Sequence, residues 1–237
     1  MTRRRWIADE SSGDRAALTG SHAEHLSRVL RARVGQEFDI VVEGVVRRGT
    51  VSGIEDHRVE FVLGAEVPAV QLANITLALS IFKFDRMEWA IEKCTELGVS
   101  RIVPVFAQRT DAHLAAAALK RVERWRRIAR QSSEQSRRIA PPEISLPVKV
   151  QEVLETPGDL RIVLSEVEGS VSLKEAVQSY APGHRIVLAF GPEGGWVQAE
   201  LDALHSKGWN SATLGSTILR AETAAIAATA VVVAETQ

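Results

Sequence analysis

Two apolar strands late in the chain each end in a glycine-containing bend, and these bends constrain the fold most. Ile186–Phe190 leads into Gly191-Pro192-Glu193-Gly194-Gly195, and Ser211–Leu214 leads into a loop that begins at Gly215. Open α/β sheets bind ligands at the carboxyl ends of neighbouring strands. Glycine lets the backbone approach a ligand and adopt positive φ. The two bends therefore predict one ligand pocket.

Two charged residues, Arg220 and Glu222, follow the second bend at the start of a predicted helix, Glu222–Glu235. Taken alone, each has an ordinary structural explanation. An acidic residue in the first helical turn interacts favourably with the helix dipole, and a neighbouring arginine is often its salt-bridge partner. Beside the Gly191 loop, the pair favours a polar site at the mouth of the pocket.

From Asn74 onward, apolar runs with strand and helix periodicity alternate, which predicts a mostly parallel sheet with helices on both faces. The predicted strands are Ile75–Phe82, Arg101–Phe106, Arg161–Leu164, Ile186–Phe190 and Ala212–Leu214. The predicted helices are Arg86–Leu97, Leu114–Ser133, Leu173–Tyr180, Gln198–Ser206 and Glu222–Glu235.

The N-terminal part has a different pattern, with short runs rich in Val, Ile and Phe. Gln36–Val42 and Val45–Ile54 flank a predicted turn at Glu43-Gly44, and Arg58–Leu63 follows. A helical segment, Ser21–Leu30, precedes them. Several short strands in so few residues are typical of a small barrel. We therefore predict a domain over residues 1–70, a linker around Ala65–Ala73 and a second domain over residues 74–237.

Composition excludes several classes of protein. The longest apolar runs are too short to span a membrane, and the basic start lacks the apolar segment of a signal peptide. The single cysteine, Cys94, cannot form an internal disulfide, which suits a cytoplasmic protein. The six histidines are scattered without metal-ligand spacing. We expect a cytoplasmic protein without a metal site.

Positive charge is concentrated in residues 120–138, which contain eight Lys or Arg and two Asp or Glu, although the net charge of the chain is −1. Such a patch in a near-neutral protein is typical of contact with a polyanion. A solvated helix face explains it equally well. The polar cluster Ser132–Arg138 has the same alternative, because helix ends are often solvated.

The last predicted helix is apolar nearly all round over Ala224–Ala234. A helix of this kind is buried on more than one side. Both a homodimer interface and a core position inside one chain account for the pattern.

The Gly191 loop does not match the usual phosphate-binding or nucleophile motifs. It lacks the Gly-x-Gly-x-x-Gly pattern, the Gly-Lys-Ser/Thr of a P-loop and a serine between glycines. Glu193 would repel a phosphate, whereas it could accept hydrogen bonds or face a cation. Another α/β enzyme with a nucleotide cofactor is therefore disfavoured.

Five separated segments, in this order, resemble one family, the RsmE family of SPOUT-class RNA methyltransferases. They are His25–Arg31, Glu92–Val99, Glu134-Gln135 with Arg138, Gly191–Gly195, and Leu214-Gly215 through Ile218–Ala224. The most specific are Gly-Pro-Glu-Gly-Gly and Leu-Arg-Ala-Glu-Thr. The family methylates N3 of a uridine in 16S ribosomal RNA.

The resemblance implies a methyltransferase domain with a trefoil knot, a PUA-like N-terminal β-barrel that helps to hold RNA, and a homodimer. It implies S-adenosylmethionine as cofactor, with backbone groups of Leu214, Gly215 and Leu219 at its adenine. The implied cofactor-binding residues are Leu164, Ser165, Glu166, Phe190, Gly191, Pro192, Glu193, Gly194, Leu214, Gly215, Ile218, Leu219, Arg220 and Thr223.

The sequence departs from the family pattern in three places. Phe84 replaces a glycine in the Lys-Gly-Asp-Arg segment, Arg109 keeps its place without its usual neighbours, and Arg137 adds a charge beside Arg138.

Methylation at N3 of uracil requires loss of a weakly acidic proton. We predict that Arg220 stabilises the resulting anion at its carbonyl oxygens. Glu134 and Glu222 are both candidates for the general base, and solvent is the third alternative. The residues expected to hold RNA phosphates are Arg28, Arg31, Arg86, Arg109, Arg137 and Arg138. A non-catalytic RNA-binding or ribosome-associated protein is the alternative function.

Overall fold

A computed structural model describes residues 5–68, 74–165, 171–178, 180 and 183–236. The chain divides into two compact units. The first comprises Met1–Gln71 with Ser133–Ala140, and the second comprises Leu72–Ser132 with Pro141–Gln237. The segment Ser133–Ala140 thus belongs with residues far from it in sequence.

The first unit is built on a six-stranded sheet, as far as its described residues go, with strand order β1-β4-β5-β6-β3-β2. Its strands are β1 Arg5–Ile7, β2 Glu10–Ser12, β3 Arg15–Thr19, β4 Glu37–Val42, β5 Val45–Glu55 and β6 Arg58–Glu66. The β1–β4 pair is parallel and the other pairs are antiparallel. Strands β4, β5 and β6 correspond to the three predicted strands, whereas β1, β2 and β3 were not predicted.

Alternating burial explains the core of this unit, since successive side chains of a strand point to opposite faces. In β6, Val59, Phe61 and Leu63 are buried at alternate positions. They pack with Trp6 of β1 and Leu26 into one apolar cluster.

The predicted turn at Glu43-Gly44 is confirmed. Val42 pairs with Val45 across the hairpin of β4 and β5. Glu43 has φ 52° and Gly44 φ 80°, and two central residues with positive φ are what a tight two-residue hairpin turn requires. The helical segment that follows β3 is α1, Gly20–Glu24, which continues into a π-helical turn at His25–Val29.

The second unit contains a sheet in which every described pair of neighbouring strands is parallel. The strand order is β10-β8-β7-β13-β11-β14-β12, and β9 pairs with β8. The strands are β7 Asn74–Ser80, β8 Arg101–Phe106, β9 Glu143–Ile144, β10 Val148–Lys149, β11 Leu160–Leu164, β12 Val171–Ser172, β13 Arg185–Phe190 and β14 Asn210–Thr213. The predicted α/β class and parallel sheet are confirmed.

Seven α-helices belong to the described part of this unit or start in it. They are α2 Phe84–Glu96, α3 Ala112–Ala118, α4 Val122–Gln135, α5 Val150–Val153, α6 Leu173–Val177, α7 Gln198–Ser206 and α8 Ala221–Thr236. The predicted helix Leu114–Ser133 is wrong as a single element. This stretch forms two helices, α3 and α4, joined by a 3₁₀ turn at Leu119–Arg121. Helix α3 starts earlier than predicted because the Asp111 carboxylate accepts hydrogen bonds from the first backbone amides. The predicted helix Leu173–Tyr180 ends sooner, at Val177.

Helices cover both faces of the sheet. On one face, Leu77, Ile162 and Leu188 pack against side chains of α2 and α8. On the other face, Val105, Val163 and Val187 pack with Leu204 of α7 and with Trp209. Strands covered on both faces are apolar throughout, and Ile186–Phe190 is buried at every position.

Helix α8 packs one side on this core through Ala225, Ala228 and Val232. Its small side chains permit close contact with α2, where Thr229 Oγ1 lies 3.6 Å from Cys94 Sγ. A core position for one face of α8 is therefore observed. Every helix in the described part of the chain is too short or too polar to span a lipid bilayer.

Candidate active site

A cavity of about 600 Å³ lies in the second unit at the carboxyl ends of β11, β13 and β14. The strand register explains its position, because Leu164 pairs with both Phe190 and Ala212. Three strand ends therefore lie side by side, and the bends that follow β13 and β14 line the same cavity. The single pocket expected from the two glycine bends is present.

The Gly191–Gly195 loop is fixed from inside and from outside. Inside the loop, Gly195 N donates to Pro192 O at 2.8 Å, and Gly195 has φ 71°. From outside, Arg109 Nη1 donates to Gly194 O at 2.7 Å and to Trp196 O at 3.4 Å. A side chain at Gly191 would place its Cβ 3.2 Å from Trp196 N, so the loop leaves little room for any other residue there.

Arg86 joins three elements at the wall of the pocket. It lies in the first turn of α2, and its Nη1 donates to Glu193 Oε1 of the glycine loop at 2.9 Å. Its Nε lies 3.7 Å from Glu222 Oε1 in the first turn of α8. This arginine therefore connects both glycine-bend segments by charge, and its observed partners are carboxylates of the protein.

Glu222 is 2% exposed. Its Oε2 is buried and has no hydrogen-bond partner among the described residues. Burying a carboxylate oxygen without a partner costs free energy. Its neighbours on α8, Ala221 and Ala224, line the pocket. The unsatisfied oxygen thus lies in a helical turn that borders the cavity and could accept a proton or a hydrogen bond.

Arg220 lines the cavity and is exposed to solvent. Its carbonyl oxygen accepts a hydrogen bond from Ala224 N at 2.8 Å, which fixes the backbone at the start of α8. Within the described residues its guanidinium has no ion pair with a carboxylate at 4.0 Å or less. Arg86, in contrast, contacts the carboxylates of Glu193 and Glu222. The positive charge of Arg220 is therefore available to a ligand.

Most residues expected to bind the cofactor do line this cavity. They are Leu164, Ser165, Phe190, Gly191, Pro192, Glu193, Gly194, Leu214, Ile218, Leu219 and Arg220. Gly215 and Thr223 are not among the lining residues, and Glu166 lies outside the described residues. Gly215 has φ 130° and its amide donates to Thr213 Oγ1 at 3.3 Å. It shapes the bend instead of forming the wall.

Several lining residues were not predicted to bind the cofactor. They are Arg86, Gly195, Trp196, Leu201, Ala212, Thr213, Thr217, Ala221 and Ala224. Those next to the two glycine bends could have been found by extending each motif by a residue or two. Leu201 lies on α7, and no motif in the sequence indicated it.

Glu134 belongs to the first unit, whereas Glu222 belongs to the second. Glu134 is 2% exposed, and its Oε1 lies 3.5 Å from His22 Nε2. The other ring nitrogen of His22 lies 3.1 Å from Asp9 Oδ2. The two candidate bases therefore have different surroundings: an imidazole and a second carboxylate for Glu134, and a guanidinium for Glu222.

The arginines expected to hold RNA phosphates differ in exposure. Arg28, Arg31 and Arg137 are exposed in the first unit, and Arg28 lies 3.7 Å from Asp56. Arg138 is 6% exposed and donates to Ala140 O. Burial lowers the pKa of Arg138 to about 10, so it remains a cation at neutral pH. Arg86 and Arg109, in the second unit, both bind the glycine loop.

Part of the basic patch is paired within the second unit. Arg124 binds both carboxylate oxygens of Glu88, at 2.6 and 2.8 Å, and Arg121 lies 3.7 Å from the same carboxylate. Arg126 donates to Ile144 O. These contacts anchor α4 and reduce the positive charge that the helix presents. The part of the chain that the structure describes contains no cluster of side chains that could hold a metal ion.

The chain is similar to known RNA methyltransferases over most of its length. Residues 70–233 match the RNA methyltransferase domain family. The ribosomal RNA small subunit methyltransferase E of Mycobacterium bovis is 32% identical over 228 residues, which cover 92% of this chain and 85% of that protein.

Two solved structures share the fold. One is a ribosomal RNA small subunit methyltransferase E from Neisseria gonorrhoeae bound to S-adenosylmethionine, with a TM-score of 0.84 and 30% identity over 97% of this chain and 96% of that one. The other is a putative methyltransferase from Legionella pneumophila in complex with the same cofactor, with a TM-score of 0.86 and 25% identity over 99% and 98% of the two chains. With these matches added to the glycine-bend pocket, this chain belongs to the RsmE family of RNA methyltransferases.

Proposed function

We propose that this protein transfers the methyl group of S-adenosylmethionine to N3 of a uridine in the 16S ribosomal RNA of the small ribosomal subunit. One observation carries the proposal: both glycine bends line a single cavity, and Arg220 at its edge has no ion pair among the described residues. The names of the relatives and the bound cofactor of the Neisseria structure support it.

The cavity suits the proposed cofactor in size and chemistry. About 600 Å³ is within the range of small-molecule sites, roughly 300–1,000 Å³. Leu164, Phe190 and Leu219 offer apolar walls for an adenine, and the backbone around Leu214 offers polar groups. Glu193 also lines the pocket, where Arg86 binds one of its carboxylate oxygens and the other oxygen can face a cation. When bound, the cofactor supplies a methyl sulfonium, which is already an activated electrophile.

The protein must then bind the uracil base and stabilise the negative charge that develops on it. N3 lies on the base-pairing edge of uracil, so the base must be unpaired or flipped out of a helix. The Arg220 guanidinium presents a fork of donors that can bind a carbonyl oxygen of the base as negative charge develops there. Alignment of the base against the donor supplies the rest.

Of the two candidate bases, Glu222 has the stronger support from its position. It is two residues from Arg220, and one of its buried oxygens has no hydrogen-bond partner in the described part of the chain, so it has capacity to accept a proton. A small opening of the first turn of α8 would be needed to expose that oxygen. Glu134, next to His22, is the alternative, and solvent is the third.

The finer architecture is also a proposal. We infer a PUA-like RNA-binding barrel over residues 1–70, a trefoil-knotted methyltransferase domain over residues 74–237, and a homodimer formed through that domain. Arg28, Arg31 and Arg137 are exposed cations in the first unit and are suited to phosphate contacts. The partly exposed side of α8, with Ala227 and Ala230, supports a subunit contact.

The test is to map methylated nucleosides by mass spectrometry after reaction with S-adenosylmethionine. The substrate is small ribosomal subunits from cells that lack this activity, compared with protein-free ribosomal RNA. We expect one new N3-methyluridine in 16S RNA. RNA binding without methylation in either substrate would instead support the non-catalytic RNA-binding alternative.

A further inference from the structure

A chain of three side chains leads from the surface of the second unit to the pocket. Ser165, directly after β11, lines the cavity. Its hydroxyl donates to Ser211 Oγ on β14 at 3.1 Å. Ser211 Oγ in turn lies 2.8 Å from Nε2 of the exposed His205 at the end of α7.

The strand register fixes the two serines. Ser211 pairs with Val163 across β11 and β14, and Ser165 N donates to Ala212 O at 3.2 Å as the ladder continues. Both hydroxyls are therefore attached to hydrogen-bonded backbone, so the sheet fixes the backbone positions from which the two side chains extend.

The tautomer of His205 sets the direction of the hydrogen bonds. A serine hydroxyl has one proton and two lone pairs. With the imidazole proton on Nδ1, Nε2 accepts the proton of Ser211, and Ser211 Oγ accepts the proton of Ser165. The proton of Ser165 is thereby used, and only its lone pairs remain for the cavity.

We propose that His205 and Ser211 are positioning residues that make Ser165 a fixed hydrogen-bond acceptor for an N–H or O–H group of the cofactor. The inference deepens the proposed function and rests on it. Without Ser211, the Ser165 hydroxyl turns freely and loses its defined polarity. Affinity would then fall, although the pocket keeps its shape.

The test is a double-mutant cycle on the affinity for S-adenosylmethionine, measured by calorimetry on the full chain. Ser165→Ala and Ser211→Ala should each weaken binding, by about 3- to 10-fold, as for loss of one neutral hydrogen bond. Because Ser211 acts through Ser165, adding Ser211→Ala to Ser165→Ala should cause no further loss. His205→Phe should resemble Ser211→Ala, and Ser211→Thr, which keeps the hydroxyl, should restore affinity.

Ser206→Ala is the matched control, since that hydroxyl donates to Ala203 O within the same helix and should leave affinity unchanged. In turnover assays the Ser211→Ala change should raise KM for the cofactor and leave kcat unaltered. Equal affinity of the wild type and Ser211→Ala would overturn the inference. So would an equal loss of affinity when Ser211→Ala is made in the wild type and in the Ser165→Ala variant. Absence of cofactor binding in the wild type would instead count against the proposed function.

Discussion

At the scale of single residues, the three arginines of the pocket region have different tasks because they have different partners. Arg86 binds Glu193 and approaches Glu222, and Arg109 binds carbonyl oxygens of the glycine loop. Arg220 faces the cavity without an ion pair among the described residues. We expect the first two to maintain the site and Arg220 to act on the substrate.

Replacing Arg220 with alanine should therefore slow methyl transfer by roughly 10²- to 10³-fold, as does loss of one donor to a developing oxyanion. Cofactor affinity should change little. Single-turnover rates with saturating cofactor measure the first quantity and calorimetry the second. Turnover equal to that of the wild type would remove Arg220 from the mechanism.

The two candidate bases can be separated by isosteric changes. If Glu222 removes the N3 proton, Glu222→Gln should lower kcat by about 10²- to 10⁴-fold, whereas Glu134→Gln should keep most of the activity. Glu193→Gln, with kcat compared at saturating cofactor because Glu193 lines the pocket, is the control: it also removes a carboxylate from Arg86 but not the proposed base. If Glu134→Gln lowered kcat strongly and Glu222→Gln kept most of the activity, removal of the N3 proton would be assigned to Glu134 instead.

At the scale of elements, helix α8 is explained by what lies beneath it. Its Ala and Thr side chains let it approach α2, where Cys94 is wholly buried. Burial raises the pKa of the Cys94 thiol to about 12. The reactive thiolate is therefore nearly absent at any pH at which the protein would be studied.

A thiol reagent thus tests the packing of α8 on α2. In the folded protein at pH 8, Cys94 should not react over hours, and in denaturant the thiol should react at the rate of a free cysteine. The release of the reagent's chromophore measures both. Rapid labelling of the native protein would mean that this interface opens or is packed differently.

Elements with strong local signals were predictable from the sequence. Helix α7 was predicted with its observed bounds, Gln198–Ser206, and the Glu43-Gly44 turn with its position. The strand β2 was missed because it is three residues long, polar and wholly exposed. Nor does local sequence indicate that Ser133–Ala140 packs with the N-terminal unit, since tertiary contacts decide it. Most of the pocket wall was predictable because it follows directly from two recognisable bends, whereas Leu201 of α7 has no such local signal.

At the scale of the whole molecule, two units carry different chemistry. All the described residues that line the pocket belong to the second unit. The first unit holds Glu134 and the exposed Arg28, Arg31 and Arg137. This division predicts that RNA affinity and cofactor affinity respond to changes in different units.

Arg137 and Arg138 provide a direct comparison for RNA binding. Arg137→Ala should weaken binding and reduce the slope of log affinity against log salt by about one, as expected for one phosphate contact. Arg138 is buried, so Arg138→Ala should mainly lower the melting temperature. Filter binding at several salt concentrations, together with thermal unfolding, measures both. An unchanged salt slope for Arg137→Ala would identify that side chain as a solvated surface group.

The central claim is that the two glycine bends form one pocket for S-adenosylmethionine, and calorimetric titration with this cofactor tests it most directly. Wild type should bind with one site per chain, and Gly191→Val should lose most of that affinity because its side chain would press on Trp196. Gly53→Val is the control, because a Cβ there would come no closer than 3.7 Å to any described residue outside its chain neighbours, and this glycine lies in the first unit. Unaltered binding by Gly191→Val, or no heat with the wild type, would contradict the account.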